Sequence, residues 1–192
     1  MKYSFNQLQS PFRPTTSKVI SAIFSMLGPN GPKDMIILDA YAGEGSVGVE
    51  AAKRGAKKSI FIEQNNKRCN EIRKKLEKLN LSMNSQIIRG TTLKSIKKIP
   101  EKVNMIFADP PYKLNEFEDF FYEINTNKIL RKNAIIFIEH SKKNILPENF
   151  ENSHFALHKL KLYGDTAISI YKQNLNGAID WEKHFILVLL TQ

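Results

Sequence analysis

Ile36-Ile37-Leu38-Asp39-Ala40-Tyr41-Ala42-Gly43-Glu44-Gly45-Ser46-Val47-Gly48 is the stretch on which the fold turns. Met35–Asp39 is a short apolar run ending in an acid, the pattern of a buried strand. Gly43, Gly45 and Gly48 then spell a literal G-x-G-x-x-G. Glycines there permit a tight turn and let a ligand approach the backbone at the positive end of a helix. The helix is predicted over Gly45–Arg54, closed by Gly55. Alone the motif is weak; its setting strengthens it. A strand precedes it, a helix follows, and Glu63 ends the next apolar run, Ser59–Glu63. An acid at that position can accept hydrogen bonds from ribose hydroxyls.

Outward from this unit, strand and helix alternate, which argues for a mostly parallel sheet. Upstream, Thr15–Leu27 predicts an amphipathic helix with Val19, Ile20, Ile23 and Leu27 on one face. Thr15, Thr16 and Ser17 are cap candidates, and Gly28-Pro29 stops it. Downstream come a helix over Asn66–Leu79, a strand over Gln86–Arg89 and one or two helical turns over Thr92–Lys98. Then follow a strand over Val103–Ala108, a helix over Glu116–Asn125 and a strand over Ala134–Glu139. Phe155–Tyr163 and Thr166–Lys172 are strands around Gly164-Asp165, a tight hairpin signal. The expected architecture is a Rossmann-like α/β domain over 1–192. It has a mixed seven-strand sheet, helices on both faces and a C-terminal antiparallel hairpin. Residues 1–12 form a short N-terminal arm. Residues 174–192 form an extension of unassigned role, whose apolar stretch Phe185–Leu190 packs on the body or adds an edge strand.

Asp39 ends its strand, and Gly43 comes four residues later. A nicotinamide site usually has its first glycine right at the strand end. Here Asp39 is expected to face the mouth of the pocket, where a cationic ligand suits a carboxylate. S-adenosylmethionine carries a sulfonium and an ammonium and no pyrophosphate, so this turn fits it better than NAD. The plainer alternative is that Asp39 caps the turn and the glycines only pack.

Asp109-Pro110-Pro111-Tyr112 follows the apolar run Val103–Ala108, where ligands bind in open α/β sheets. An exocyclic amine on a base is a poor nucleophile because its lone pair is delocalised into the ring. Two acceptors on its hydrogens, the Asp109 carboxylate and the Pro110 carbonyl, favour the tetrahedral nitrogen that can take a methyl group. Pro110 and Pro111 stiffen the turn beforehand. Tyr112 offers a ring on which a base can stack, worth roughly 1–3 kcal/mol. A paired target base must first be extruded. The plainer alternative is an ordinary Asp-Pro turn.

Together these residues resemble a class I S-adenosylmethionine-dependent methyltransferase. More narrowly the chain resembles the RsmD family, which methylates guanine N2 in bacterial small-subunit ribosomal RNA. The resemblance rests on Arg13-Pro14-Thr15-Thr16, the segment from Leu38 to Ala51, Arg54-Gly55-Ala56 and Phe61-Ile62-Glu63. It continues through Asp109-Pro110-Pro111-Tyr112 and Tyr163-Gly164, covering roughly Phe12–Lys172. It implies that Asp39, Ala40, Gly43 and Gly45 line the methionine end of the cofactor, with Asp109 beside it. By the same resemblance Glu63 binds the ribose, and Gly90, Thr91 and Thr92 lie along the adenine. Asp109, Pro110, Pro111 and Tyr112 hold the guanine, and Arg13 and Thr15 lie near the cofactor or the RNA. Three positions depart from the family pattern. Only Met1–Phe12 precede the Arg-Pro-Thr element, Glu44 stands where a small residue is usual, and Thr91 stands where an Asp is usual.

The bulk numbers agree with a nucleic-acid partner. Of 192 residues, 29 are Lys or Arg and 19 Asp or Glu, a formal charge of +10. That favours polyanions, although an AT-rich genome also writes many lysines. Lys142 and Lys143 are candidate RNA contacts, and Lys53, Arg54, Lys57 and Lys58 could flank a groove. No apolar run approaches the ~20 residues of a membrane helix, and Met1–Asn6 lacks a signal peptide's apolar core. The single cysteine, Cys69, excludes an internal disulfide and is assigned to the core. His154 and His158 lack companion ligands, so no metal is expected. Phe117, Phe120 and Phe121 recur at helical spacing and are assigned to the core. The expectation is a cytoplasmic monomer acting on ribosomal RNA, with an assembling small subunit as one setting for it. Two rivals are a DNA adenine-N6 methyltransferase and a catalytically idle RNA-binding protein of the same fold.

Overall fold

The structure is a computed structural model that describes residues 15–110, 114–150 and 154–173. Arg13, Pro111, Tyr112 and the 174–192 extension lie outside the described residues. The elements in chain order are α1 (Ser17–Ser25), β1 (Ile36–Asp39), α2 (Ser46–Lys53), β2 (Lys58–Glu63), α3 (Asn66–Lys78) and β3 (Ser85–Arg89). They continue with α4 (Thr92–Ser95), β4 (Val103–Ala108), α5 (Leu114–Thr126), β5 (Leu130–Ser141), β6 (Phe155–Tyr163) and β7 (Thr166–Gln173).

The strands form one seven-stranded sheet in the order β3-β2-β1-β4-β5-β7-β6. β1 to β5 are mutually parallel, and β7 runs antiparallel between β5 and β6. The chain winds outward from β1 to β3, then returns to the other side of β1 for β4 and β5. The order therefore reverses between β1 and β4, the place where an open α/β sheet parts to leave a crevice.

β1, β2, β4 and the later part of β5 are buried on both faces, which is why they read as continuous apolar runs rather than alternating ones, whereas the edge strand β6 is largely exposed. Even-numbered positions Ile36, Leu38, Ile60, Ile62, Ile106, Ile136 and Ile138 pack with Phe117, Phe120, Phe121 and Ile124 of α5. Odd-numbered positions Ile37, Met105, Phe107 and Phe137 pack with Val19, Ile23 and Phe24 of α1 and Val47 and Ala51 of α2. Phe61 packs with Ile72 and Leu76 of α3 on that second side. Cys69 and the three phenylalanines are core residues, as the spacing predicts. The Phe121 ring stacks on Phe150 at 4.0 Å and meets Tyr171 edge-on at 5.0 Å, fastening α5 to the hairpin.

The start of β5 departs furthest from the sequence expectation. β5 starts at Leu130 rather than Ala134. Its pairing jumps from Val103↔Leu130 to Met105↔Ile135, so Arg131, Lys132 and Asn133 bulge out, Asn133 with φ of 63°. These exposed polar residues hide the strand's beginning from a reading of apolar runs. A 3-10 turn over Ser82–Asn84 also precedes β3, which begins at Ser85. The hairpin forms as expected: Tyr163 pairs with Thr166, and Gly164 takes the left-handed conformation at φ 64°.

Candidate active site

The β1–α2 turn is held from within by carboxylates. Asp39 is 2% exposed, and its Oδ2 accepts from the Gly48 N–H at 2.9 Å. Glu63 Oε2 accepts from the Gly43 N–H at 2.8 Å, and its Oε1 accepts from the Asn65 N–H at 2.7 Å. The Ala42 N–H donates to the Ile62 carbonyl, locking the turn to the end of β2. Gly43 and Gly45 have φ of 54° and 74°, conformations that cost other residues. Gly48 is required by packing: a Cβ there would lie 2.3 Å from Cε1 of the fully buried Phe61. Asp39 therefore does cap the turn, as the plainer alternative holds, and it also lines a cleft.

That cleft lies where the strand order reverses. Its walls are Thr15, Asp39, Tyr41, Ala42, Gly43, Ser46, Val47, Phe107 and Asp109. The ends of β1 and β4 thus meet in one place, with Asp109 on the same cavity as the glycine turn. The parallel register explains why. Asp39 pairs with both Phe61 and Phe107, and Ala108 pairs with Ile138. Paired residues share a face and residues two apart share it again. Glu63, Asp39, Asp109 and Glu139 consequently stand on one side of four neighbouring strands, at their carboxyl ends.

In this row of acids, neighbouring charges oppose the ionisation of Asp39 and Asp109. Burial pushes Asp39 up to about 7, with the Gly48 N–H pulling against it and Asp109 and Glu63 adding to the rise. Burial also pushes Asp109 up to about 7, and the neighbouring Glu139 adds to it. No Lys or Arg side chain lines the cleft among the described residues.

The other expected site residues are placed as follows. Ala40 donates its N–H to Phe107 and accepts from the Thr92 hydroxyl at 2.6 Å. The Thr92 side chain is thus turned inward and buried, joining α4 to β1. Gly90 donates its N–H to the Glu63 carbonyl, and a Cβ on it would lie 2.5 Å from Ser95 Oγ. Thr91 is exposed at the start of α4. Pro110 is buried behind Asp109. Thr15 donates its hydroxyl to Glu139 Oε2 at 2.8 Å. Lys142 and Lys143 are exposed just past the carboxyl end of β5, Lys142 paired with Asp165 at 2.8 Å.

The basic group around α2 lies elsewhere. Lys53 and Arg54 end α2 and Lys58 opens β2, at the amino edge of the sheet, opposite the cleft. Lys53 and Arg54 pair with Glu50 and Lys58 with Glu101. They do not flank the cleft. His154 and His158 are exposed. Among the described residues no group of three or more His, Cys, Asp or Glu is arranged to hold a metal ion. No helix among them is long and apolar enough to cross a membrane.

Sequence reasoning passes over Glu139, which holds Thr15 at the cleft, and the cleft-lining Tyr41, Ser46 and Phe107. For Glu139 a signal was available: Ile60-Phe61-Ile62-Glu63 and Ile136-Phe137-Ile138-Glu139 are two apolar runs closed by an acid in the same way.

The family described as Conserved hypothetical protein 95 matches residues 4–172. The ribosomal RNA small subunit methyltransferase D of Buchnera aphidicola subsp. Acyrthosiphon pisum is 32% identical over 173 residues, 88% of this chain and 86% of that protein. Among solved structures, HI0767 of Haemophilus influenzae superposes with a TM-score of 0.68 at 30% identity, covering 81% of this chain and 96% of that one. An RNA methyltransferase from Salinibacter ruber, solved with S-adenosyl-L-homocysteine, shares the fold with a TM-score of 0.65 at 10% identity, covering 88% and 98%. The sheet is that of a class I methyltransferase, the Rossmann-like α/β fold read from the alternation of strands and helices.

Proposed function

This chain belongs to the Conserved hypothetical protein 95 family, that of ribosomal RNA small subunit methyltransferase D. From that premise we propose that this S-adenosylmethionine-dependent ribosomal RNA methyltransferase modifies the exocyclic N2 amine of a guanine in small-subunit RNA. The observation that carries the reading is the shared cleft of Asp109 and the Gly43 turn at the ends of β4 and β1.

The cleft's own chemistry fits the cofactor. Its ionisable lining is acidic, with Asp39 and Asp109 and no described cation, which suits a sulfonium and an ammonium and disfavours a pyrophosphate. Gly43 and Gly45 hold the backbone in a tight turn beside Asp39. Glu63 spends one lone pair of each oxygen on a backbone N–H and keeps acceptor capacity for ribose hydroxyls. S-adenosylmethionine supplies an electrophilic methyl group when bound. Gly90 and Thr91, at the end of β3 and the start of α4, border the place for the adenine. Thr92 contributes by fixing Ala40 rather than by reaching a ligand.

Asp109 and the Pro110 carbonyl accept from the two hydrogens of the target amine, drawing its nitrogen toward tetrahedral geometry. The nitrogen takes the methyl and then loses a proton, for which Asp109 is a poised acceptor, since it sits near neutrality instead of at its ordinary 3.8. Pro111 and Tyr112 complete the grip on the base, and Arg13, Lys142 and Lys143 steer the RNA backbone. The protein acts as a monomer on RNA of an assembling small subunit.

Mass analysis of nucleosides from a strain lacking this gene tests the reading. Small-subunit RNA is expected to lose N2-methylguanosine, and to regain it with the wild-type gene but not with Asp109→Asn. Loss of N6-methyladenine from DNA would move the assignment to the DNA rival, and an unchanged profile would leave an idle RNA binder.

A further inference from the structure

Glu139 lies near the carboxyl end of β5, one strand beyond Asp109, is 8% exposed, and reaches 124 residues back along the chain to the Thr15 hydroxyl. Register brings it level with Asp109, because Ala108 and Ile138 are partners and the next residue of each strand turns to the α1 side. Thr15 lines the cleft at the point where the chain enters α1, one residue before the cap Thr16. One side chain therefore touches the segment that leads into α1 and lies beside the carboxylate at the reacting amine. We propose that Glu139 is a positioning residue of the methyl-transfer site, tying the start of α1 to the cleft through Thr15 while standing level with Asp109 on the same face of the sheet.

This rests on the reading that Asp109 holds the target amine. Among the described residues the acids beside Asp109 are Asp39 from β1 and Glu139 from β5, with Glu63 of β2 one strand further, beside Asp39. The turn after β1 contributes the Tyr41 hydroxyl, itself next to Glu116 of α5. Among the described residues α2 contributes Ser46 and Val47, and the segment before α1 contributes Thr15, all uncharged. Glu139 is thus the one acid of the row on the far side of Asp109 from the glycine turn. Its negative charge opposes ionisation of Asp109 and makes that carboxylate a better proton acceptor. Removing the charge while keeping the shape weakens the acceptor without breaking the fold.

The full cofactor-free chain, labelled with carbon-13 at the aspartate side-chain carboxyl, reads this directly by NMR titration, with Asp109 assigned through Asp109→Asn. Glu139→Gln keeps an oxygen for Thr15 and drops the charge, so the Asp109 midpoint is expected to move to lower pH. Glu139→Met, of similar length, is the second charge-removing variant should the first not fold, and it is expected to move the midpoint the same way. Thr15→Val keeps the charge and drops the hydroxyl. It should leave the midpoint in place while amide exchange quickens at Val19 and Ile20, the first hydrogen-bonded amides of α1. An Asp109 midpoint unmoved by loss of the Glu139 charge, or α1 exchange unmoved by Thr15→Val, overturns the proposal. Neither readout involves methylation, so a failure of the ribosomal RNA assignment would show separately, as a wild-type chain without that activity.

Discussion

Glu63 and Glu139 lie on opposite flanks of the cleft, each closing a Phe-Ile-Glu run, yet they are held by different means. On the β1–β2 flank both Glu63 oxygens accept main-chain N–H groups, and Asp39 accepts a third. On the β4–β5 flank Glu139 accepts from the side chain of Thr15, and among the described residues no hydrogen bond reaches the Asp109 carboxylate. The first flank spends its carboxylates on shaping a loop. The second sets Asp109 beside Glu139, and among the described residues no main-chain N–H is held by the Asp109 carboxylate. Damage to the first should therefore appear as lost stability, and damage to the second as lost chemistry in a folded protein.

Asp109→Asn is the strongest attempt to break that division. Removing a general base or an amine acceptor costs on the order of 10²–10⁴ in rate. We expect that loss in single-turnover methylation of small-subunit RNA, with an unchanged circular dichroism spectrum. Partial unfolding of the variant would erase the distinction between the flanks. The same variant carries a pH signature. The folded protein holds Asp109 at about 7 against an ordinary 3.8. A carboxyl whose folded value is raised contributes stability that is complete below 3.8 and is lost as pH rises through about 7. Wild type and Asp109→Asn should melt together near pH 4, and the variant should melt higher above pH 7 by roughly a few degrees. A variant that melts lower at pH 8 would mean that Asp109 is a structural anchor after all.

The first flank should answer in the opposite way. Glu63→Gln leaves one carbonyl oxygen where two oxygens received N–H groups, so the Gly43 or the Asn65 donor meets an amide nitrogen. A buried donor left unpaired costs about 1–3 kcal/mol, to be read as a lower midpoint in urea. Gly48→Ala drives a Cβ into the Phe61 ring from the first turn of α2, an overpacking worth about 1–3 kcal/mol. Pairing it with Phe61→Leu should recover part of that loss, because the two residues share the contact. Independent, additive costs would show that α2 shifts to avoid the ring and that the glycine serves the turn alone.

Much of this division was legible in the sequence, and the illegible part has physical causes. Asp39, Glu63 and Asp109 each end an apolar run, and buried parallel strands announce themselves by such runs. Glu139 ends one too, but its importance depends on the register of β4 against β5, which no local pattern encodes. From its local pattern Thr15 reads as a helix cap, and only the family resemblance sets it near the cofactor or the RNA. Its partner lies 124 residues away, so its place in the cleft is a product of the fold. Thr92 was legible as part of the loop after β3 but not in its inward turn, which follows from the Ala40 carbonyl needing a donor. The start of β5 was hidden because Arg131, Lys132 and Asn133 break the apolar run at a bulge.

The surface lysines offer the smallest effects and a last use of the same contrast between ends of the sheet. Lys142 and Lys143 follow the carboxyl end of β5, whereas Lys53 and Arg54 lie at the amino edge, tied to Glu50. All four are solvated, and exposed ion pairs of this kind contribute about 0–1 kcal/mol, so stability should not separate them. Binding to RNA should. A lysine that neutralises a phosphate releases counterions, and losing it lowers the dependence of log affinity on log salt by about 0.7–0.9. Lys142→Ala with Lys143→Ala should flatten that slope in a filter-binding series across salt concentrations, and Lys53→Ala with Arg54→Ala should leave it unchanged. Lys142 must first release Asp165 to reach a phosphate, so Asp165→Asn should tighten binding slightly at low salt. Equal slopes for both pairs would mean that RNA approaches the cleft from a side these lysines do not border.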